Sequence, residues 1–198
     1  MKIHSMQRLA LYGGAFDPVH IAHVTIARHA LEQAGVDAVI FLPSAQSPLK
    51  AHAPRTGDQE RLEMLRLATS GESRFCVDTY EIERGGISYS VETVAHFQQK
   101  FPTVDLYWIL GGDQFTQLHR WNRIKELARR VTFLVAARPG FDTGTPPVDG
   151  FRYQRIEAPL MPESSSEIRR LCAEGLSLKG TVAPSVEAFI LSNNLYRW

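Results

Sequence analysis

Four short runs in this 198-residue chain are apolar on both faces of an extended strand. They are LALYG (9–13), AVIFLP (38–43), VDLYWILGG (104–112) and VTFLVAARPG (131–140). A strand apolar on both faces must be covered on both, which is the condition of a central strand in a parallel sheet. Between these runs the apolar period changes to that of a helix. Helices are expected over 21–35, 58–71 and 88–101, the first two stopped by Gly35 and Gly71. A shorter one covers RIKELARR (123–130), and two more cover 164–175 and 184–194. FCVDTYEI (75–82) alternates like a further strand, and YQRIEAP (153–159) reads as an edge strand. Residues 44–57 and 141–150 are loops, marked by Pro and Gly.

Strand–helix alternation of this kind predicts the α/β class, with a doubly wound, Rossmann-like parallel sheet flanked by helices. One domain is expected over 1–198, with a small C-terminal helical part and residues 1–7 as a disordered or vector-derived lead. Ligands of such sheets bind outside the carboxyl ends of the strands, near the switch in strand order.

Composition removes several classes. A formal net charge of +1 gives no general affinity for nucleic acid, so an anionic ligand must be held by a local cluster. No apolar run reaches the length of a membrane span, and the start MKIHSM lacks the apolar stretch of a signal peptide. A cytoplasmic protein is expected. The two cysteines, Cys76 and Cys172, have no metal or redox spacing and read as reduced thiols. Homo-oligomerisation is left open.

The stretch LYGGAFDPVHIAH (11–23) concentrates the chemistry. A strand that runs through Gly13 and Gly14 into a helix lets backbone approach a ligand closely, and the helix presents free N–H groups. It lacks the Gly-Lys-Ser/Thr ending of a P-loop and the spacing of the dinucleotide glycines. Instead it supplies His20 and His23, three apart and on one helix face. The bland alternatives are an ordinary strand-end turn and, for the histidines, a zinc pair that lacks further ligands. A second stretch, SSSEIRR (164–170), opens with a capping box from Ser164 to Glu167. That alone makes a good helix start. Ser165, Ser166 and Arg169 in the same turn also make an anion site from hydroxyls, N–H groups and a guanidinium. His4, His29, His52, His96 and His119 carry no motif and read as surface or helix-face residues.

GGAFDPVHIAH resembles the loop of the nucleotidylyltransferase superfamily, with Ala22 where many members have Gly. SSEIR (165–169) is similar to its Ser-Ser/Thr-x-Ile-Arg motif, although Glu163 stands where Ile is usual. WILGGDQFTQLHRWNRIKEL (108–127) resembles the bacterial nicotinate-nucleotide adenylyltransferase branch over its whole length. ISYSVETV (87–94) fits that branch with Ser90 replacing Thr, SPLK (47–50) fits with Leu49 replacing His, and AARPG (136–140) also matches. The resemblance runs over about residues 8 to 198.

The resemblance implies transfer of the adenylyl group of ATP to nicotinate mononucleotide, giving deamido-NAD and pyrophosphate, in NAD biosynthesis. Mg²⁺ would enter with ATP, and no metal site of the protein's own is expected. His20, His23, Lys50 and Arg169 would neutralise charge on the reacting phosphates. Gly13, Gly14, Ala15, Phe16, Gly111, Asp113, Arg138, Ser164, Ser165 and Ser166 would bind ATP. Tyr89, Thr93 and Trp121 would bind nicotinate mononucleotide, the indole by stacking. Asp113 equally suits a helix N-cap, Trp121 a half-buried packing residue and Lys50 a solvated loop charge. Nicotinamide mononucleotide or phosphopantetheine as acceptor, or a non-catalytic nucleotide sensor, are the alternatives. The partners are otherwise small molecules, with no nucleic acid and no membrane.

Overall fold

The structure, a computed structural model, describes residues 6–50, 52–137, 148, 150–159 and 161–197. Six strands form one fully parallel sheet: β1 (Arg8–Gly14), β2 (Ala38–Pro43), β3 (Phe75–Val77), β4 (Asp105–Gly111), β5 (Thr132–Ala137) and β6 (Tyr153–Glu157). Their spatial order is β3-β2-β1-β4-β5-β6. The expected doubly wound α/β sheet is what forms, with β6 at an edge.

The order reverses between β1 and β4, which opens a crevice at the carboxyl ends of these two strands. Successive strand residues divide between the sheet's faces. Ala10, Tyr12, Val39 and Phe41 pack with α1 (Ile21–Gln33), α2 (Asp58–Thr69), α7 (Ser165–Ala173) and α8 (Pro184–Ser192). Leu9, Leu11, Ile40, Leu42 and Trp108 pack with α4 (Ser90–Lys100) and α6 (Ile124–Arg130). The double covering demanded by the four apolar runs is thus met. No helix among the described residues is long and apolar enough to cross a membrane. Both cysteines are free thiols, Cys172 buried and Cys76 half-buried.

Two local expectations change. The strand foreseen over 75–82 stops at Val77, and a short helix, α3 (Tyr80–Arg84), takes its second half. The Asp78 carboxylate accepts the Tyr80 N–H at 2.9 Å, and Glu83 N–H reaches the Thr79 carbonyl at 2.9 Å. A side chain that satisfies free helix N–H groups competes directly with the sheet ladder. The strand foreseen through Gly112 ends at Gly111, and Gly112 opens the short α5 (Gly112–Phe115). The start of β1 is tied in, with the Gln7 and Arg8 N–H groups on the Asp37 carboxylate at 2.8 and 2.9 Å.

Candidate active site

A cavity of about 770 Å³ opens over the carboxyl ends of β1, β2, β4 and β5. Its floor is the Gly13–Gly14 end of β1, where close approach requires the first glycine and leaves little room at the second. A Cβ on Gly13 would lie 2.8 Å from the Trp108 ring, and one on Gly14 would lie 3.1 Å from the Phe16 ring. Phe16 takes a left-handed φ of 47° and turns its ring inward, edge-on to His23 at 4.9 Å between centroids. It serves as a base under the imidazole, and is itself 2% exposed.

The loop that follows is fastened on its outer side. Its Gly14 carbonyl accepts from Ser44 N–H at 2.9 Å, and its Ala15 carbonyl from the Arg61 guanidinium at 2.8 Å. Arg169 donates to the Asp17 carbonyl at 2.6 Å, and the Ser165 hydroxyl to the Pro18 carbonyl at 2.9 Å. A carbonyl and the next N–H point opposite ways across a peptide plane. Holding the Gly14 and Ala15 carbonyls therefore fixes the direction of the Ala15 and Phe16 N–H groups.

His20 is the N-cap residue of α1, and its N–H donates to His23 Nδ1 at 3.2 Å. The neutral His23 ring must then carry its proton on Nε2, leaving that atom a donor. The two rings stack with centroids 3.7 Å apart. Burial pushes the His20 imidazole down to about 4. Burial, and then the charges of His20 and Lys50, hold His23 well below the ordinary histidine value. At neutral pH both rings are uncharged hydrogen-bonding groups.

A stability prediction follows from these shifts. Between pH 6.5 and about 4 the unfolded chain binds protons at His20 that the native state refuses. Stability is therefore complete above pH 6.5 and falls as pH drops through that window. At about 1.4 kcal/mol per pH unit, His20 alone contributes a loss of about 3 kcal/mol. Urea midpoints at pH 7, 6 and 5 should decline in the native chain and decline less in His20→Asn. An equally steep decline in that variant would assign the effect elsewhere.

The other anticipated residues divide. Lys50 is exposed on the cavity wall, and Gly111, Asp113, Tyr89 and Trp121 also line it. Asp113 is not the N-cap of α5. That place belongs to Gly111, whose N–H goes to Gln114 Oε1 at 3.2 Å, so the Asp113 carboxylate makes no cap. Trp121 stands edge-on to Trp108 at 6.3 Å. Ser165 and Arg169 reach the cavity, whereas Ser164 and Ser166 do not line it. Ser164 caps α7 by accepting Glu167 N–H at 3.2 Å, and Ser166 accepts from Arg169 at 3.1 Å. Half of the expected capping box forms, because the Glu167 carboxylate pairs with Arg170 instead. Thr93 is fully buried behind the wall, with its hydroxyl on Glu81 at 2.7 Å. Arg138 lies outside the described residues.

Residues that the motifs did not single out also matter. Asp17 is 4% exposed, and its two carboxylate oxygens accept from Tyr196 and from Arg55 N–H, each at 2.8 Å. Arg61 is completely buried between Ala15 and Asp58. His52, read as surface, is exposed but stands at the cavity's wall. Among the described residues, five buried side-chain polar atoms lack a partner. Four of them, on His20, Ser44, Trp121 and Glu163, belong to residues lining this cavity. Unpaired buried polar atoms are costly, so their concentration in the residues around this cavity sets it apart from the rest of the described molecule. No three His, Cys, Asp or Glu side chains among the described residues come together as a metal-ligand set.

Comparison with known proteins bears on the family and the fold. The cytidylyltransferase-like family model matches residues 11–171. A protein of Opitutus terrae named "probable nicotinate-nucleotide adenylyltransferase" is 38% identical over 191 residues, covering 96% of this chain and 98% of its own. One of the same name from Pelobacter propionicus is 36% identical over 96% of this chain and 98% of its own. The solved structure of Plasmodium falciparum nicotinic acid mononucleotide adenylyltransferase complexed with NaAD superposes with a TM-score of 0.81 at 19% identity. It covers 96% of this chain and 97% of that one, and the likeness speaks for the fold.

Proposed function

This chain belongs to the cytidylyltransferase-like family, and on that premise we propose that it joins MgATP and nicotinate mononucleotide into deamido-NAD, releasing pyrophosphate. The observation that carries the reading is one cavity that gathers the glycine end of β1, two neutral imidazoles, Lys50 and Arg169, among residues that hold unpaired polar atoms. Relatives over 30% identical along nearly the whole chain bear the name of this activity.

The mononucleotide's 5′-phosphate oxygen attacks the α-phosphorus of ATP. The bond from that phosphorus to the β-bridging oxygen breaks, and pyrophosphate leaves with its electron pair. The nucleophile is already ionised, so no protein base is needed. What the chain supplies is position and charge balance. Holding two anions in line is worth up to roughly 7–11 kcal/mol of barrier. Gly13, Gly14, Ala15 and Phe16 give the backbone cradle, and His20 and His23 donate as neutral groups to oxygens that gain charge. Lys50 and Arg169 supply the positive charge that the imidazoles do not carry. Ser165 helps set the α7 end against the cradle, and Asp113 accepts from a ribose diol. Trp121 and Tyr89 flank the pyridine side, where Thr93 acts from behind the wall. The divalent ion travels with ATP, its oxygen ligands drawn from phosphate and water. The cytoplasm, where ATP is abundant, is the proposed location.

The test is pyrophosphate release from MgATP with nicotinate and nicotinamide mononucleotides run side by side. Release with a strong preference for nicotinate is expected. Release only with phosphopantetheine, or ATP binding with no turnover on any acceptor, would overturn the assignment.

A further inference from the structure

Asp17 sits where three distant parts of the chain meet the cradle loop. One carboxylate oxygen accepts from the Tyr196 hydroxyl at 2.8 Å, in the turn after α8. The other accepts from the Arg55 N–H at 2.8 Å, in the segment between β2 and α2. Its own carbonyl accepts from Arg169 on α7 at 2.6 Å. The Tyr196 hydroxyl also engages the Thr56 side chain, the residue after Arg55. One phenol therefore touches the β2–α2 segment twice, directly at Thr56 and through Asp17 at Arg55.

That segment forms a wall of the cavity, contributing Ser47, Lys50 and Arg55 among others. Near its start it is held by Ser44 N–H on the Gly14 carbonyl, by Lys50 N–H on Ser47, and by Ser88, whose N–H donates to the Gln46 carbonyl at 2.8 Å and whose hydroxyl accepts from Ala45 N–H at 3.1 Å. Its far end is held by what meets Asp17 and Tyr196. The Tyr196 ring is 1% exposed, at a left-handed φ of 63° that an aromatic residue adopts only when its surroundings impose it. Burial pushes its phenol far above the ordinary range, so it remains a donor at every working pH.

We propose that Tyr196 is a positioning residue of the reaction, whose hydroxyl, through Asp17 and Thr56, holds the Lys50-bearing wall over the cavity. The inference rests on the adenylyl-transfer reading only for where Lys50 acts. The tie itself is independent of it. Tyr196 touches no reacting atom, and its effect passes through the wall.

Two readouts separate positioning from simple support. In the ligand-free protein, trypsin should cleave after Arg55 about tenfold faster in Tyr196→Phe than in the native chain, at a temperature where both are folded. One buried hydrogen bond to a charged group is worth about that factor. In turnover, Tyr196→Phe should lower kcat about tenfold with ATP affinity nearly unchanged. In a Lys50→Ala background the same substitution should cost less than about twofold, because its route of action is gone. Equal losses in both backgrounds, or an unchanged cleavage rate, would overturn the proposal. Should Tyr196→Phe fail to fold, Thr56→Val removes the direct contact on the half-buried wall side and carries the same two readouts. If the native chain releases no pyrophosphate with any acceptor, the functional reading fails while the cleavage rates still decide the tie.

Discussion

His23→Ala is expected to turn over about a hundredfold more slowly than the native chain while remaining folded. The His23 ring is fixed from three sides: its Nδ1 by the His20 N–H, one face by the His20 ring and its edge by Phe16. That arrangement leaves Nε2 as a pre-aimed donor that needs no reorganisation when charge develops on a phosphate oxygen. Losing one such donor costs about 10²–10³ in kcat in comparable sites. Because the ring is neutral in the ligand-free protein, the loss belongs to the transition state rather than to bulk attraction of anions. Substrate KM values should move far less than kcat. Steady-state pyrophosphate release, with a thermal melt to establish folding, measures both. Unchanged turnover in folded His23→Ala would remove the imidazole from the mechanism.

Arg169→Ala should cost as much or more, expressed in kcat/KM. Two of its donors are already committed, one to the Asp17 carbonyl and one to Ser166. The residue also lines the cavity. The substitution thus removes a cation from the triphosphate side and loosens the cradle loop in one step. A combined loss of about 10³ in kcat/KM is the expected scale. Arg169→Lys should recover little, since a single ammonium cannot bridge loop and helix and still meet phosphate. Full recovery by lysine would reduce the role of Arg169 to its charge.

These effects bear on what the sequence could reveal. The sheet was legible because β1, β2, β4 and β5 are apolar on both faces, a pattern with few other uses. The cradle was legible because glycines and histidines at fixed offsets are local facts. The clamps behind it were not. Asp17 sits inside a recognised loop, yet its importance lies in partners at Arg55 and Tyr196, 38 and 179 positions away. Arg61, within DQERLEMLRLAT, has the look of a solvated helix charge, and only the Ala15 carbonyl 46 positions earlier explains its burial. Thr93 was drawn to the site by a motif, but its hydroxyl is taken by a buried Glu81 that alternation had assigned to a strand. The same misreading of 75–82 hid the Asp78 carboxylate that takes the first N–H of α3. Local pattern identifies elements; it does not show which side chain will be claimed by a residue far away.

The fastening of the cradle also sets a schedule for its appearance in the cell. The strand, turn and first helix that carry the histidines leave the ribosome early. The groups that pull the loop into shape, Ser165, Arg169 and Tyr196, come 147 to 179 residues after their partners in it. At the usual pace of translation, roughly 5–20 residues per second, that interval is on the order of ten to thirty seconds. A nascent chain holds the chemistry-bearing residues for all of that time without the geometry to use them. Competence must wait until the segment around Tyr196 is made and docks.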